Sequence, residues 1–281
     1  MESLRSFQFV LLAVLVASLA ACGGPQNPAG LVPASTLNAS AAAVAKSTCP
    51  LQRCIIVANA VSGHNGTGSI VFFARNAHGN KSPVNVIAGS LTKLNHPIGI
   101  TLDSDGTAYA ANFESNSITV YAAGASGDSA PIRTIAGTKT GLLAPAGIVL
   151  DSAGELLVAN NKYDSITIYA AKSNGNISPT RTISGNKTML SHPWGIALDS
   201  KSNIYVSQGT SIAIFAANAK GNAAPERMIS GSLTQLGEAE GIAVDAKGYT
   251  YVADWGTATL DVFAPEAEGD QAPVRQDTSG L

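Results

Sequence analysis

The sequence predicts an all-β fold of repeated four-stranded sheets, and three observations carry this prediction. The segment Pro97–Asp103 returns as Pro145–Asp151, as Pro193–Asp199 and, without its proline, as Glu240–Asp245. Each copy is followed by the same short apolar runs, and no segment of helical periodicity interrupts them. A repeat of about 48 residues has the length of one propeller blade, so the chain is predicted to form a β-propeller.

The elements of one repeat follow a fixed order. The first strand is Pro97–Asp103, and an Asp-x-x-Gly turn at Asp103–Gly106 joins it to a second strand that ends in Ala111-Asn112. The third strand, Ser117–Ala123, alternates apolar and polar residues as a half-buried strand does. A Gly-Asp pair before a proline leads to the fourth strand, Ala130–Gly137. The turn residues stand at the offsets that tight turns require.

The consensus Pro-x-Gly-Ile-x-x-Asp-x-x-Gly-x-x-Tyr-Val-Ala-Asn/Asp, with His96 and His192 before two of the prolines, resembles the NHL repeat family of β-propellers. The resemblance covers about residues 54–276. It implies that ligands or partners bind on one face of the ring, at the mouth of the central channel.

Five blades are predicted, at about residues 41–89, 97–137, 145–185, 193–231 and 240–276 of a propeller domain that spans 41–281. The length of that domain divided by the repeat of about 48 residues gives five. The first strand of the first blade is expected near Ala41–Lys46. NHL propellers commonly have six blades, and a degenerate six-bladed ring is the alternative.

The N-terminal residues 1–21 combine one basic residue, Arg5, with an apolar run that is too short for a spanning helix, so they read as an export signal. The segment Leu19-Ala-Ala-Cys22-Gly resembles the lipobox of bacterial lipoproteins. That resemblance implies a diacylated Cys22 that anchors the mature protein to a membrane of the bacterial envelope, at the outer membrane or the cell surface. An ordinary signal peptide with an incidental cysteine is the alternative.

Residues 22–40 are rich in Gly, Pro, Ala, Ser and Asn and are predicted to be a flexible tether. With Cys22 lipidated, Cys49 and Cys54 form an even pair in an oxidising compartment, which predicts a local disulfide. Two buried free thiols are the alternative. The formal net charge of −2 does not indicate a nucleic-acid partner.

The predicted binding face collects the side chains that differ between repeats. Asparagine and aspartate at strand ends are also common turn formers, and a tryptophan there can equally fill the core. The candidate ligand-binding residues are Asn112, Phe113, Asn160, Tyr163, Trp194, Asp254 and Trp255.

No catalytic residues are predicted. The chain contains no Gly-x-Ser-x-Gly elbow, no His-Glu-x-x-His motif and no P-loop. His96 and His192 occupy equivalent repeat positions, which favours a structural role before each blade over a catalytic dyad. Only Glu114 and Asp254 are expected as acids at the channel mouth, whereas a metal generally needs three converging ligands, so no metal and no cofactor are predicted.

The sequence therefore favours a lipid-anchored, non-catalytic binding or scaffold propeller whose partner is a protein, a small molecule or a glycan. One alternative is an enzyme that resembles the propeller lyases and lactonases, which use a divalent metal on the same face. Another is a carbohydrate-binding module in which Trp194 and Trp255 stack on sugar rings.

Overall fold

The structure is a computed structural model that describes residues 54–60 and 68–278. These residues form an all-β, five-bladed propeller, which confirms the predicted fold. The export signal, Cys22, the tether, Cys49 and the strand predicted near residues 41–46 lie outside the described residues. The lipid anchor and the Cys49–Cys54 disulfide therefore stay predictions.

Each blade is an antiparallel meander whose strands pair in sequence order. Blade 1 consists of β1 (Cys54–Asn59), β2 (Ser69–Ala74) and β3 (Asn85–Ala88). Blade 2 consists of β4 (Pro97–Leu102), β5 (Ala108–Asn112), β6 (Ser117–Tyr121) and β7 (Arg133–Ala136). Blade 3 consists of β8 (Pro145–Leu150), β9 (Leu156–Asn160), β10 (Ser165–Tyr169) and β11 (Arg181–Ser184). Blade 4 consists of β12 (Gly195–Leu198), β13 (Ile204–Gln208), β14 (Ser211–Phe215) and β15 (Arg227–Ser230). Blade 5 consists of β16 (Ala239–Val244), β17 (Thr250–Asp254), β18 (Thr259–Phe263) and β19 (Arg275–Asp277).

Short 3-10 turns occur at Ser90–Thr92, Asn161–Tyr163, Asn186–Thr188 and Ser232–Thr234. No helix in the described part of the chain has the length and apolar character needed to cross a membrane.

The apolar core is divided into clusters that each join one blade to the next. At the junction of blades 2 and 3, Tyr169 packs with Tyr109 and Ile118, and its hydroxyl donates to the carbonyl oxygen of Thr140 at 2.6 Å. The equivalent residues at the other junctions are Tyr121, Phe215 and Phe263. Within residues 54–60 and 68–278, no such cluster joins blade 5 to blade 1.

A repeated contact, called here the latch, reinforces each of these junctions. The amide of Gly127 in blade 2 donates to the carbonyl of Val86 in blade 1, and Oδ1 of Asp128 accepts from the amide of Leu91 at 2.7 Å. The other latches use Asn176 Oδ1 with Lys139 N at 2.8 Å, Asn222 Oδ1 with Lys187 N at 2.7 Å, and Asp270 Oδ1 with Leu233 N at 2.6 Å. The Gly-Asn or Gly-Asp pair of the repeat is thus a connection between blades.

The glycine of the Pro-x-Gly motif allows the innermost strands to approach closely. A Cβ on Gly147 would lie 2.5 Å from the carbonyl oxygen of Trp194 in the next blade. The corresponding distances are 2.2 Å for Gly99 and 2.3 Å for Gly195. Real Cβ atoms do not pack this closely on backbone, so the motif requires glycine wherever another blade follows.

Candidate functional site

The channel mouth is formed where the chain enters each innermost strand. The residue before the repeated glycine of the innermost strand lies there in successive blades, and its identity changes around the ring: Ile98 in blade 2, Ala146 in blade 3, Trp194 in blade 4 and Glu240 in blade 5. Ile98 and Ala146 are buried, whereas Trp194 and Glu240 are partly exposed. The mouth is therefore apolar on one side and polar on the other.

Two aromatic rings from non-adjacent blades stack across this mouth. Phe113 directly follows β5, and its amide donates to the carbonyl oxygen of His96 at 3.1 Å, which fixes the loop. The Phe113 ring lies parallel to the ring of Trp194, with centroids 5.7 Å apart and an interplanar angle of 5°. This separation and angle describe an offset stack, a favoured arrangement of aromatic pairs.

Phe113 also contacts two polar side chains. The His96 ring is tilted by 50° against it at a centroid distance of 5.9 Å, and Lys162 Nζ lies 5.9 Å from the Phe113 centroid. His96 Nδ1 lies 3.9 Å from Oε1 of Glu114, too far for a hydrogen bond, and this buried nitrogen has no hydrogen-bond partner. Phe113 thus connects a histidine, a lysine and a tryptophan from three blades.

Asn161 occupies the position in blade 3 that Phe113 occupies in blade 2. Each residue directly follows the second strand of its blade, and the Asn161 amide donates to the carbonyl of Ala144 at 3.1 Å. The side chain is only 5% exposed, yet its amide nitrogen Nδ2 has no hydrogen-bond partner. An unpaired buried donor is costly in free energy unless something else binds it.

Glu240 brings a carboxyl group to the mouth from blade 5, the blade that follows the one carrying Trp194. Its backbone carbonyl is held by the Ser207 hydroxyl at 2.7 Å, and a Cβ on Gly195 would lie 2.3 Å from that same oxygen. Burial, followed by the nearby charges of Glu238 and Asp254, raises the pKa of Glu240 to about 7. The expectation that Glu114 and Asp254 are the only acids at the mouth is therefore incomplete.

Three of the sequence-predicted site residues have buried side chains that anchor loops. Asn112 Oδ1 accepts from the amide of Asn95 at 3.0 Å, and its Nδ2 donates to Thr119 Oγ1 at 3.0 Å. Asn160 makes the equivalent bonds in blade 3, and the Asp254 carboxylate accepts from the amides of residues 237 and 238. A ligand contact by these residues stays a prediction.

The other four predicted residues divide into two pairs. Phe113 and Trp194 come together in the stack. Tyr163 and Trp255 are 56% and 52% exposed, and neither makes a ring contact in the part of the chain that the structure describes. His192, like Tyr163, lies on the exposed rim, where its amide donates to Asp164 Oδ1 at 2.7 Å.

Asn161, Lys162 and Glu240 were not among the sequence-predicted site residues. A usable signal exists for Asn161 and Glu240, because each departs from the apolar or small residues that other blades carry at its repeat position. Among the described residues, no group of three His, Cys, Asp or Glu side chains is arranged to hold a metal ion.

Comparisons with known proteins agree with the propeller fold. The family model described as "Lactonase, 7-bladed beta-propeller" matches residues 70–193, which is less than half of the chain. No curated protein matches the sequence.

Several solved structures are similar. A Bacteroides uniformis protein provisionally named a 6-phosphogluconolactonase is 14% identical over 82% of this chain and 70% of its own, with a TM-score of 0.58. A catalytically inactive virginiamycin B lyase from Staphylococcus aureus, crystallised with quinupristin, is 14% identical over 77% and 73% of the two chains, with a TM-score of 0.50. A chain of a nidogen/laminin complex is 18% identical over 70% and 68%, with a TM-score of 0.50. At these identities the similarity shows the fold alone, and the fold serves enzymes and binding proteins alike.

Proposed function

We propose that this protein is a binding propeller that recognises its ligand at the channel mouth and carries out no chemistry of its own. The observation that supports this most strongly is the Phe113–Trp194 stack, which joins blades 2 and 4 and leaves both rings partly exposed. Exposed aromatic surface with polar groups beside it is typical of recognition sites.

The contacts around the stack support ligand binding over simple core filling. A core aromatic is enclosed by apolar side chains, as Phe215 is at the junction of blades 3 and 4. Phe113 has the polar side chains of His96 and Lys162 beside its ring, together with the indole of Trp194. Polar side chains beside partly exposed aromatic rings are the combination that a ligand site requires.

We further propose that the propeller is held at the bacterial envelope by lipid on Cys22, at the outer membrane or the cell surface, and that its repeats are NHL-like. The lipobox-like residues 19–23 and the Pro-x-Gly consensus support these two points. Radiolabelled palmitate should enter the wild-type protein, and the Cys22→Ala variant should remain unlabelled and become soluble. Label that persists in the variant contradicts the anchor.

A thermal-shift screen tests the binding site. A compound present at 100 times its Kd stabilises the folded protein by about 2.7 kcal/mol, which raises the melting temperature by several degrees. Compounds that stabilise the wild type should not stabilise Phe113→Ala, whereas Leu233→Ala, an exposed residue remote from the stack, should respond as the wild type does. Equal shifts in Phe113→Ala, or a screen without any stabilising compound, would count against the mouth as the binding site.

A second candidate function is lactone hydrolysis, which the partial lactonase match and the Glu240 carboxyl favour. With its pKa of about 7, Glu240 could accept a proton from water as the water adds to the ester carbonyl, and it could return that proton to the ring oxygen as the C–O bond breaks and a hydroxy acid forms. The test is a pH-stat assay on glucono-δ-lactone and γ-butyrolactone. If the wild type hydrolyses either lactone and the Glu240→Gln variant does not, lactone hydrolysis replaces ligand binding as the function.

A further inference from the structure

We infer that the ligand of the channel mouth is a saccharide whose pyranose ring stacks on Trp194. This inference rests on the proposed function and names the ligand class for the same site. Three polar groups of the mouth that lack hydrogen-bond partners, one from each of blades 2, 3 and 5, carry it together with the tryptophan of blade 4.

The unpaired groups have both hydrogen-bonding polarities. Asn161 Nδ2 is a donor and is unpaired although the residue is 5% exposed. His96 Nδ1 is buried without a partner and can donate or accept according to its tautomer. The half-buried Glu240 carboxyl makes no hydrogen bond to any residue the structure describes, and it accepts when ionised.

The charges at the mouth disfavour small organic ions. An anion would approach Lys162 but would also meet Glu114, Glu238 and the Glu240 carboxyl. A cation would find those acids but would compete with Lys162, whose ammonium already lies 5.9 Å from the Phe113 centroid. Because each sign of charge meets repulsion on one side of the stack, a neutral ligand fits best.

A purely apolar ligand is disfavoured as well. It would cover the Phe113–Trp194 stack but leave the Asn161 donor and the Glu240 carboxyl desolvated and unpaired. Each such group costs about 1–3 kcal/mol. The ligand therefore has to supply hydrogen-bond donors and acceptors around its edge.

A pyranose ring meets all of these requirements. It is neutral, its axial C–H groups give it an apolar face that can lie on an indole, and its hydroxyls donate and accept. One hydroxyl can accept from Asn161 while another donates to Glu240. Trp194 is partly exposed although Phe113 stacks on it, and the exposed part of the indole is the surface on which the pyranose would lie.

Isothermal titration calorimetry on the purified protein tests the inference. The probes are methyl glycosides of glucose, galactose, mannose and N-acetylglucosamine, and the β-1,4-linked tetrasaccharides of glucose and N-acetylglucosamine. Benzoate and tetramethylammonium serve as ionic probes of similar ring or headgroup size. We expect saturable binding of at least one saccharide and of neither ion.

Variants then locate the binding. Trp194→Ala should weaken saccharide binding more than about thirtyfold, Trp194→Phe only a few fold, and Asn161→Leu about tenfold through the loss of one hydrogen bond. Lys187→Ala, a lysine on the outer rim of the same face, should bind as the wild type does. The circular dichroism melting curve of each variant shows that it is folded.

The outcomes separate the inference from the proposed function. Binding of benzoate or tetramethylammonium that depends on Trp194, with no saccharide bound, overturns the saccharide and leaves the binding site. If no probe binds, the inference of a saccharide ligand is wrong. The thermal-shift screen then shows whether the mouth is a binding site. Saccharide binding that Trp194→Ala does not weaken places the sugar elsewhere and overturns the inference.

Discussion

The four junctions between consecutive blades and the side of blade 5 that no described blade follows carry the same sequence motif in different surroundings. At the junction of blades 3 and 4, Gly147 has Trp194 of the next blade against it, and its amide donates to that residue's carbonyl at 2.6 Å. Blade 5 keeps the equivalent glycine, Gly241, but the nearest atom to a Cβ there is Ala253 Cβ of its own blade, at 3.2 Å. A repeat motif thus specifies a junction only where a neighbour is present to complete it.

The aromatic residue of the third strand shows the same dependence on a neighbouring blade, here at blade 1. Phe215 is fully buried because it packs on blade 3. Phe73 holds the equivalent position in blade 1, where no described blade precedes it, and it is partly exposed. Burial in this fold is therefore a property of the junction more than of the blade.

The largest difference is expected for the aromatic pair. Phe215→Ala removes a fully buried ring and should lower the free energy of unfolding by about 3–5 kcal/mol. Phe73→Ala should cost less than half as much, because its ring is partly exposed and no described blade precedes blade 1. Urea unfolding of the two variants measures both values, and equal losses would mean that blade 1 has a neighbour as close as blade 4 has.

The glycine pair should give the next largest difference. Gly147→Ala forces a methyl group onto backbone and strains a hydrogen bond, so a loss of about 3 kcal/mol is expected. Gly241→Ala should cost under about 1 kcal/mol. Thermal unfolding checks both. A large loss in Gly241→Ala would show that another strand lies against blade 5.

High pH should weaken two junctions and spare the others. Burial raises the pKa of Tyr121 and Tyr169 to about 12, whereas the next two junctions have Phe215 and Phe263 at this position. In the unfolded chain the tyrosine hydroxyls ionise near pH 10. The stability that Tyr121 and Tyr169 contribute is therefore present below about pH 10 and is lost progressively as pH rises towards 12. The double variant Tyr121→Phe, Tyr169→Phe should lose less stability than the wild type between pH 9 and 11. Equal slopes of unfolding free energy against pH would contradict this.

The latch should give the smallest difference. Asn222→Ala removes an acceptor from the Lys187 amide and should cost about 1 kcal/mol. Asn80→Ala, the equivalent substitution in blade 1, should be neutral, because Asn80 is exposed and makes no hydrogen bond to any other described residue. Chemical denaturation at low protein concentration resolves the two, and a measurable loss in Asn80→Ala would reveal a fifth latch.

The sequence predicts the local elements well because they depend on local chemistry. The Asp-x-x-Gly turns, the strand-end asparagines and the Pro-x-Gly glycines each recur at a fixed offset. The Phe113–Trp194 stack could not be predicted, since it joins blades that are not adjacent and depends on how the blades are arranged around the ring. The unpaired state of Asn161 and the burial of Glu240 are likewise products of packing around the mouth.

The sequence separation between the two partners of a latch sets the length of the loop that each junction closes. Their partners are 37, 37, 35 and 37 residues apart, so the entropy lost in closing the loop is nearly the same at every junction. A latch between residues 79 and 276 would span about 200 residues and would cost roughly 1.5 kcal/mol more, from the logarithmic growth of loop entropy. The chain can therefore fold by adding one blade to its neighbour at constant cost, and joining the two ends of the row of blades is the most expensive step.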